Sequence, residues 1–270
     1  MENHRSKDLR LAGRTVLIAP SAPRELVLEL EPHGARVITW PEIEIRDPES
    51  FTALDEAIEN LFGYDWLLFR TQTAAEFFLK RFQKLGHETS ELDTLRVCAM
   101  DEATVAKLEA SQIHLDLIPD APTSNAVFAA IESYAGGRKA LGRLNFLIPR
   151  ASAARDGLCD ALEEAGARAD VVTAYRTAAQ NTSGLAQLNA FLSGGGIDSI
   201  AFTSPSSIRD LRELLDTIEL DTILDGMTVF CIDKSTTKAA NDFGLRPLLS
   251  PEPTVRAMAE AIADHLHDGR

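Results

Sequence analysis

The chain has 270 residues, of which 45% are hydrophobic and 25% are charged, a composition typical of a globular protein with a substantial core. Its formal net charge of −14 argues against nucleic acid or an anionic membrane surface as a partner, since both would repel an acidic protein. No apolar run approaches the roughly 20 residues that span a bilayer, and the N-terminal segment lacks the long apolar stretch of a signal peptide. Three cysteines without paired spacing indicate reduced thiols, and we therefore expect a cytoplasmic protein.

Short apolar runs alternate with helical patterns along the whole chain. In chain order the runs are RTVLIAP, YDWLLF, RVCAM, RLNFLIP, IDSIAF and MTVFCI. The first run precedes an expected helix over 23–32, and the second precedes a helix that should stop at Gly86. After the fourth run, Leu158 and Leu162 are four residues apart and Gly166 supplies the helix stop. Strands that alternate with helices predict βαβ units, and hence parallel sheets covered by helices on both faces.

An internal repeat divides the sequence into two similar halves. RVCAMDEATVAKLE aligns with TVFCIDKSTTKAAN further along, placing Asp101 opposite Asp233 and Thr104 opposite Thr236. GRTVLIAPSAPREL likewise resembles GRLNFLIPRASAARDGL, and HGARVITW resembles AGARADVVTAY. Each half has about 130 residues, the size of a five-stranded doubly wound α/β domain.

Each half also carries a strand that runs directly into a helix through a small polar turn. One junction reads FTSPSSIRDL and the other reads FRTQTAAEFF. In doubly wound sheets, ligands bind beyond the carboxyl ends of the strands, where helix N-termini present open N–H groups. We therefore expect one ligand loop in each domain, with the substrate between the two domains. No base is indicated for Ser204 or Ser206, which favours helix capping over a nucleophilic role.

Several kinds of cofactor site lack a sequence signature. The chain contains no G-x-G-x-x-G, no P-loop and no G-x-S-x-G elbow, and its six histidines are scattered. His265 and His267 are two residues apart and so do not share a helix face, which argues against a metal site there. We expect no metal and no cofactor, which leaves hydrogen bonding, confinement and general acid–base catalysis.

Three segments stand in a characteristic order along the chain: PEIEIRDPES, LIPRASAARDGLCDALEEAGARADVVTAYRT and FTSPSSIRDL. On these segments the chain resembles, from Gly13 to Leu266, the uroporphyrinogen-III synthase family. The resemblance implies two similar doubly wound parallel-sheet domains joined by a two-stranded linker ladder. One domain would comprise 1–42 with 177–270, and the other, inserted, would comprise 43–176.

The resemblance also implies a function in tetrapyrrole and heme biosynthesis. The enzyme is a cofactor-free lyase that closes the linear tetrapyrrole hydroxymethylbilane, with loss of water and inversion of the last pyrrole ring. Its partner would be this small molecule, with no nucleic acid and no membrane, and we expect a monomer in the cytoplasm. The alternative is a non-catalytic ligand-binding or regulatory protein descended from the same two-domain fold.

Departures from the family pattern keep that alternative open. Asp101 and Asp233 stand where the family has a glycine, which would permit a positive φ or a close backbone approach to a ligand. Each aspartate adds an anion near an octacarboxylate substrate, a repulsion of about 1–4 kcal/mol that Arg70 and Lys234 could offset. The aspartates can also cap helices.

Candidate site residues follow from the junctions and the resemblance. Tyr175, in AYRT, matches a family tyrosine at the linker ladder, where its phenol could donate a proton; the other interpretation is packing between domains. Arg150 could bind a carboxylate or form a salt bridge, and Thr104 and Thr236 are favoured as helix caps. The predicted substrate-binding residues are Arg70, Thr71, Thr104, Arg150, Thr203, Ser204, Ser206, Lys234 and Thr236.

Overall fold

The computed structural model describes residues 9–19, 22–40, 43–152, 156–179, 196–216 and 220–268. Contacts between Cα atoms divide the chain into two compact units. Unit 1 comprises Met1–Glu44, Ala179–Leu215 and Glu219–Arg270, and unit 2 comprises Ile45–Ala178 with Asp216–Ile218. The predicted domains, 1–42 with 177–270 and 43–176, stay a prediction, because Cα proximity alone does not establish an independently folding domain.

Strands and helices alternate along the chain. The strands are β1 Thr15–Ile18, β2 Arg36–Thr39, β3 Ile43–Arg46, β4 Trp66–Phe69, β5 Arg96–Ala99, β6 Asn145–Arg150, β7 Arg168–Thr173, β8 Arg176–Ala179, β9 Ser199–Phe202, β10 Thr228–Cys231 and β11 Leu248–Leu249. The α-helices are α1 Arg24–Leu30, α2 Thr52–Glu59, α3 Gln72–Lys84, α4 Glu102–Ala110, α5 Ser124–Ala135, α6 Arg138–Leu141, α7 Gly157–Glu164, α8 Pro205–Leu215, α9 Leu220–Ile223, α10 Lys234–Asp242 and α11 Val255–Asp268. All six predicted strand runs contain a strand, and each is followed by a helix.

Unit 1 contains a five-stranded sheet of order β11-β10-β9-β1-β2, in which all neighbouring strands are parallel. The N-terminal strand β1 pairs with β9, so the first elements of the chain complete the sheet of the C-terminal half. Successive residues of β1 point to opposite faces. Val16 packs in a cluster with Met258 and Ile262 of α11, whereas Leu17 packs in another with Ile208 of α8. Helices therefore cover both faces, which explains why the central strands are continuously apolar.

Unit 2 contains a four-stranded parallel sheet of order β5-β4-β6-β7. Two hydrophobic clusters flank it, one containing Leu67 and Phe69 of β4 and the other containing Trp66 and Leu68. The expectation of five strands in each half is wrong for the described part of this unit, where the fifth strand is reduced to a parallel bridge between Cys98 and Leu117. Pro119 follows closely and has no N–H group, so the ladder cannot continue through it.

Strands β3 and β8 form a separate two-stranded sheet at the two points where the chain passes between the units. These strands lie in the segments WPEIEIR and VVTAYRT that the sequence assigned to the crossovers. The predicted class, two doubly wound α/β sheets joined by a two-stranded ladder, is confirmed. Among the described helices, none has both the length and the apolar character needed to cross a membrane.

Candidate functional site

The junction after β4 places two predicted site residues at the carboxyl end of the unit 2 sheet. Arg70 and Thr71 follow the last residue of β4 and precede α3. Thr71 has extended backbone angles, and its Oγ1 accepts a hydrogen bond of 3.1 Å from the Ala74 N–H. The threonine therefore caps α3, because its side chain satisfies one of the N–H groups that the helix leaves open.

Tyr175 lies in the short connection between β7 and β8. Its side chain is 1% exposed and belongs to the hydrophobic cluster on one face of the unit 2 sheet. The phenol oxygen is 3.3 Å from the Oγ1 of Thr71, and the ring centroid is 5.5 Å from that of Phe77. The tyrosine thus links the start of α3 to the end of β7. This geometry is consistent with a packing role for the ring, and it also places the phenol hydroxyl beside the loop between β4 and α3.

Arg70 and Arg150 meet at one carboxylate, that of Asp156. The strands β4 and β6 are parallel neighbours, so the residues at their carboxyl ends come together at one edge of the sheet. The Oδ2 of Asp156 lies 2.5 Å from Nη1 of Arg70 and 3.4 Å from Nη1 of Arg150. The side chains of both arginines are 3% exposed, and that of the aspartate is 9% exposed. We call these three side chains the arginine–aspartate cluster.

Asp156 has a second role as the N-cap of α7, because its Oδ1 accepts a hydrogen bond of 3.3 Å from the Cys159 N–H. Burial is the largest influence on its carboxyl and acts to raise the pKa, but the positive charges of Arg70 and Arg150 and the hydrogen bonds from Cys159 together outweigh burial and hold this pKa below its usual value. The carboxyl is therefore ionised at neutral pH. Sequence reasoning missed this residue, although an aspartate ahead of a helix and beside the end of an arginine-bearing strand is the signal that indicates it.

Arg150 also contacts Asp216, which belongs to the same unit. Its Nε is 3.2 Å from both carboxylate oxygens, and Oδ2 of Asp216 also accepts a hydrogen bond of 2.6 Å from Ser152. The guanidinium of Arg150 is thus compensated by two carboxylates. Both interpretations of Arg150 from the sequence remain, since it forms buried salt bridges at a strand end that is suited to bind an anion.

The two aspartates at the family's glycine positions are helix caps. The expectation that Thr104 and Thr236 cap these helices is therefore wrong, because each threonine is the third residue of its helix and donates its N–H to the aspartate. Asp101 accepts from the Thr104 N–H at the start of α4, and Asp233 accepts from the Thr236 N–H at the start of α10, each at 2.8 Å. Both aspartates have a φ of −145°, which is extended backbone that any residue adopts. A positive φ is therefore not required at either position, and the backbone conformation accommodates aspartate in place of the family's glycine.

The two caps differ in how they bind the threonine hydroxyl. Thr104 donates from Oγ1 to Asp101 at 2.6 Å, whereas the buried Oγ1 of Thr236 has no partner among the described residues. In its place Ser235 donates to Asp233 at 2.8 Å. The Thr236 N–H bond is the main cause that lowers the pKa of the Asp233 carboxyl.

The remaining candidates lie at the carboxyl end of the unit 1 sheet. Thr203 and Ser204 follow β9, and Ser204 Oγ accepts from the Ser207 N–H at 3.3 Å and contacts Ser206 Oγ at 2.9 Å. The expected capping role of Ser204 is therefore seen. Lys234 is the exposed first residue of α10, so its ammonium group is available to an anion in solution.

The structure thus places the candidates in two sets, one at the strand ends of each unit. Arg70, Thr71, Thr104, Arg150 and Tyr175 belong to unit 2, and the other candidates belong to unit 1. Across the described ranges, His, Cys, Asp and Glu side chains form no group of three or more that could hold a metal ion. The polar groups at these strand ends can bind anions and transfer a proton.

Comparisons with known proteins point to one family. The family model described as uroporphyrinogen-III synthase HemD matches residues 24–260. A uroporphyrinogen-III synthase from Chlorobaculum parvum is 25% identical over 259 residues, which cover 92% of this chain and 99% of that protein. A putative uroporphyrinogen-III synthase from Methanothermobacter thermautotrophicus is 25% identical over 249 residues, covering 90% and 94% of the two chains.

The fold has a counterpart among solved structures. The uroporphyrinogen III synthase of Thermus thermophilus superposes with a TM-score of 0.56 at 17% identity, covering 94% of this chain and 99% of that one. At this identity the likeness shows that the two chains share a fold, and the assignment to a family rests on the family model.

Proposed function

Because the chain belongs to the uroporphyrinogen-III synthase family, we propose that it closes hydroxymethylbilane to uroporphyrinogen III with loss of water and inversion of the last pyrrole ring. The observation that carries this function is the family match, which runs from residue 24 to residue 260. The activity is that of a lyase without a cofactor. The names of the similar proteins favour this function over a non-catalytic descendant of the fold.

The enzyme has two tasks, since it must speed the loss of water and hold the last ring inverted during closure. Confinement of the substrate accomplishes the second task. A bound substrate whose reacting carbons are already oriented loses little further entropy when the ring closes. For the first task we assign Tyr175 as the proton donor to the departing hydroxyl group. Two observations support this assignment. The Tyr175 hydroxyl contacts Thr71 at the cap of α3, and the residue is buried, so that bulk water does not compete with the phenol as a proton donor.

Carboxylates of the substrate bind at the strand ends of the two units. Arg70, Arg150 and Lys234 supply positive charge, which an acidic chain must concentrate locally to attract an anion. Open N–H groups at the starts of α3, α4, α8 and α10 supply further donors. Thr71 and Ser204 shape these loops by accepting from helix N–H groups, and Thr104 and Thr236 donate their N–H groups to the capping aspartates. Thr203 and Ser206, after β9 and at the start of α8, are further hydroxyl donors to the substrate.

The caps formed by Asp101 and Asp233 weaken the argument for a non-catalytic protein. Each carboxylate is bound to N–H groups at the start of a helix, where the helix dipole favours negative charge. The aspartates therefore stabilise the loops that present the N–H groups, and their charges are partly offset before a substrate arrives.

The test of the function is the isomer that the protein makes. Purified protein is incubated with freshly generated hydroxymethylbilane, the product is oxidised, and the porphyrin isomers are separated by chromatography. We expect isomer III at a rate well above that of spontaneous closure, which gives isomer I. Heat-denatured protein is the control, and isomer I alone at the spontaneous rate would refute the function.

We further propose that the protein acts as a monomer in the cytoplasm, with the linear tetrapyrrole as its partner and without nucleic acid or membrane. The reduced, unpaired cysteines support the cytoplasmic location, and the acidic composition argues against nucleic acid and an anionic membrane as partners.

A further inference from the structure

The geometry points to Asp156 as a positioning residue that holds Arg70 and Arg150 together as one binding element for substrate carboxylates. This inference rests on the proposed function. It concerns a residue that touches the two arginines and not the reacting carbons, so its role is to set where the positive charge lies.

The first observation is that the two carboxylate oxygens of Asp156 have different partners. Oδ1 faces the start of α7 and accepts from the Cys159 N–H, while Oδ2 lies within 3.4 Å of Nη1 of both arginines. One oxygen therefore fixes the side chain to a helix and the other fixes the arginines to the side chain. The position of both guanidinium groups thus depends on the backbone of α7, which is a more rigid anchor than a surface loop.

The second observation is the balance of charge in a buried place. Two guanidinium groups near one oxygen repel each other, and removing them from water is costly unless carboxylates compensate them. Asp156 is a carboxylate partner of both arginines, and Arg150 also contacts Asp216. Loss of the Asp156 charge should therefore displace the guanidinium groups of Arg70 and Arg150.

The third observation is the place of the cluster in the sheet. Arg70 directly precedes Thr71, which caps α3 and contacts the hydroxyl of Tyr175 at 3.3 Å. Arg70 is thus next in sequence to Thr71, the residue that contacts the proposed proton donor, Tyr175. A displaced Arg70 would bind a substrate carboxylate in a poorer position at this strand end.

The experiment compares variants that separate capping from charge. Asp156→Ser keeps a good N-cap and removes the negative charge, and Asp156→Asn keeps the shape of the side chain. Both should raise the KM for hydroxymethylbilane about tenfold, the scale of one lost charge-assisted hydrogen bond, with a smaller change in kcat. Asp156→Glu should recover part of the affinity because it restores the charge.

The double variant with Arg70→Gln distinguishes positioning from general destabilisation. If Asp156 acts in part through Arg70, then the KM of Asp156→Ser with Arg70→Gln should rise by less than the product of the two single effects. Thr123→Ala is the control for a lost cap, because Thr123 caps α5 in the same unit through the Ala126 N–H. This control should lower the unfolding temperature and leave KM unchanged.

Three results would overturn the inference. One is an unchanged KM in a folded Asp156→Ser or Asp156→Asn protein. A lower KM would equally overturn it, since it would mean that Asp156 competes with the substrate for the two arginines. Another is a double variant whose KM rises by the product of the two single effects. The third is a KM rise of equal size in Thr123→Ala. Failure of the proposed function is separate, because wild-type protein would then give isomer I alone.

Discussion

Replacement of Tyr175 by phenylalanine separates the two roles that the residue can have. The change removes one hydroxyl and keeps the ring that packs near Phe77. The lost hydrogen bond to Thr71 is long, at 3.3 Å, and the Thr71 oxygen keeps the Ala74 N–H as its donor. Among the contacts of the described residues, the change leaves no buried acceptor without a partner, so the expected loss of stability is only about 0.5–1 kcal/mol.

The effect on activity should be much larger if the phenol donates the proton. A positioned general acid contributes roughly 10²–10⁴ in rate, which corresponds to about 3–5 kcal/mol of transition-state stabilisation. We therefore expect Tyr175→Phe to lower kcat at least a hundredfold with a small change in KM. The assay follows the formation of isomer III in single-turnover mixtures, with unfolding in urea as the measure of stability.

Tyr64→Phe is a matched control in the same unit. The Tyr64 hydroxyl is bound to Asp170, ahead of β4 and away from the strand ends that carry the candidate site. Its loss should leave the rate and the isomer ratio unchanged. If Tyr175→Phe retains the wild-type rate and makes isomer III, the tyrosine has a packing role and the assignment of the proton donor is wrong.

Three further predictions concern stability and composition. Asp233→Ala should destabilise the protein by about 1 kcal/mol at neutral pH, because it removes the cap of α10. The pKa of this carboxyl is lowered in the folded protein, so its contribution is present above the ordinary pKa of an aspartate and disappears as the pH falls through the lowered value. Unfolding curves of wild type and variant that stay equally far apart on acidification would contradict this reasoning. Phe78→Ala, at a fully buried position, should cost about 3–5 kcal/mol, whereas Phe62→Ala, at a position that is 88% exposed, should leave the urea midpoint nearly unchanged; equal midpoints would contradict the described core. Purified protein should contain no stoichiometric metal, flavin or nucleotide and should elute as a monomer, which metal analysis, a visible spectrum and light scattering can check; a bound cofactor or a stable dimer would refute these expectations.

The class of the fold could be predicted from the amino-acid sequence alone. Strand runs such as YDWLLF and IDSIAF are apolar throughout because both faces of a parallel sheet are covered, and this pattern is local enough to be read without a structure. The repeat that places Asp101 opposite Asp233 likewise predicted two similar sheets, and the order of the motifs predicted the family. The cap at Ser204 follows from the same local rules, since it depends on a neighbour within three residues.

Which distant side chains contact one another could be seen only in the folded structure. Arg70 and Asp156 are 86 residues apart in sequence, and they meet because β4 and β6 are neighbours in the sheet and α7 begins beside them. Strand order is not encoded in apolar periodicity, so the sequence could name both arginines but not the carboxylate between them. The contact between Tyr175 and Thr71 and the reduction of the fifth strand in unit 2 to one bridge have the same origin. Long-range pairing fixes them, and the local pattern is compatible with several pairings.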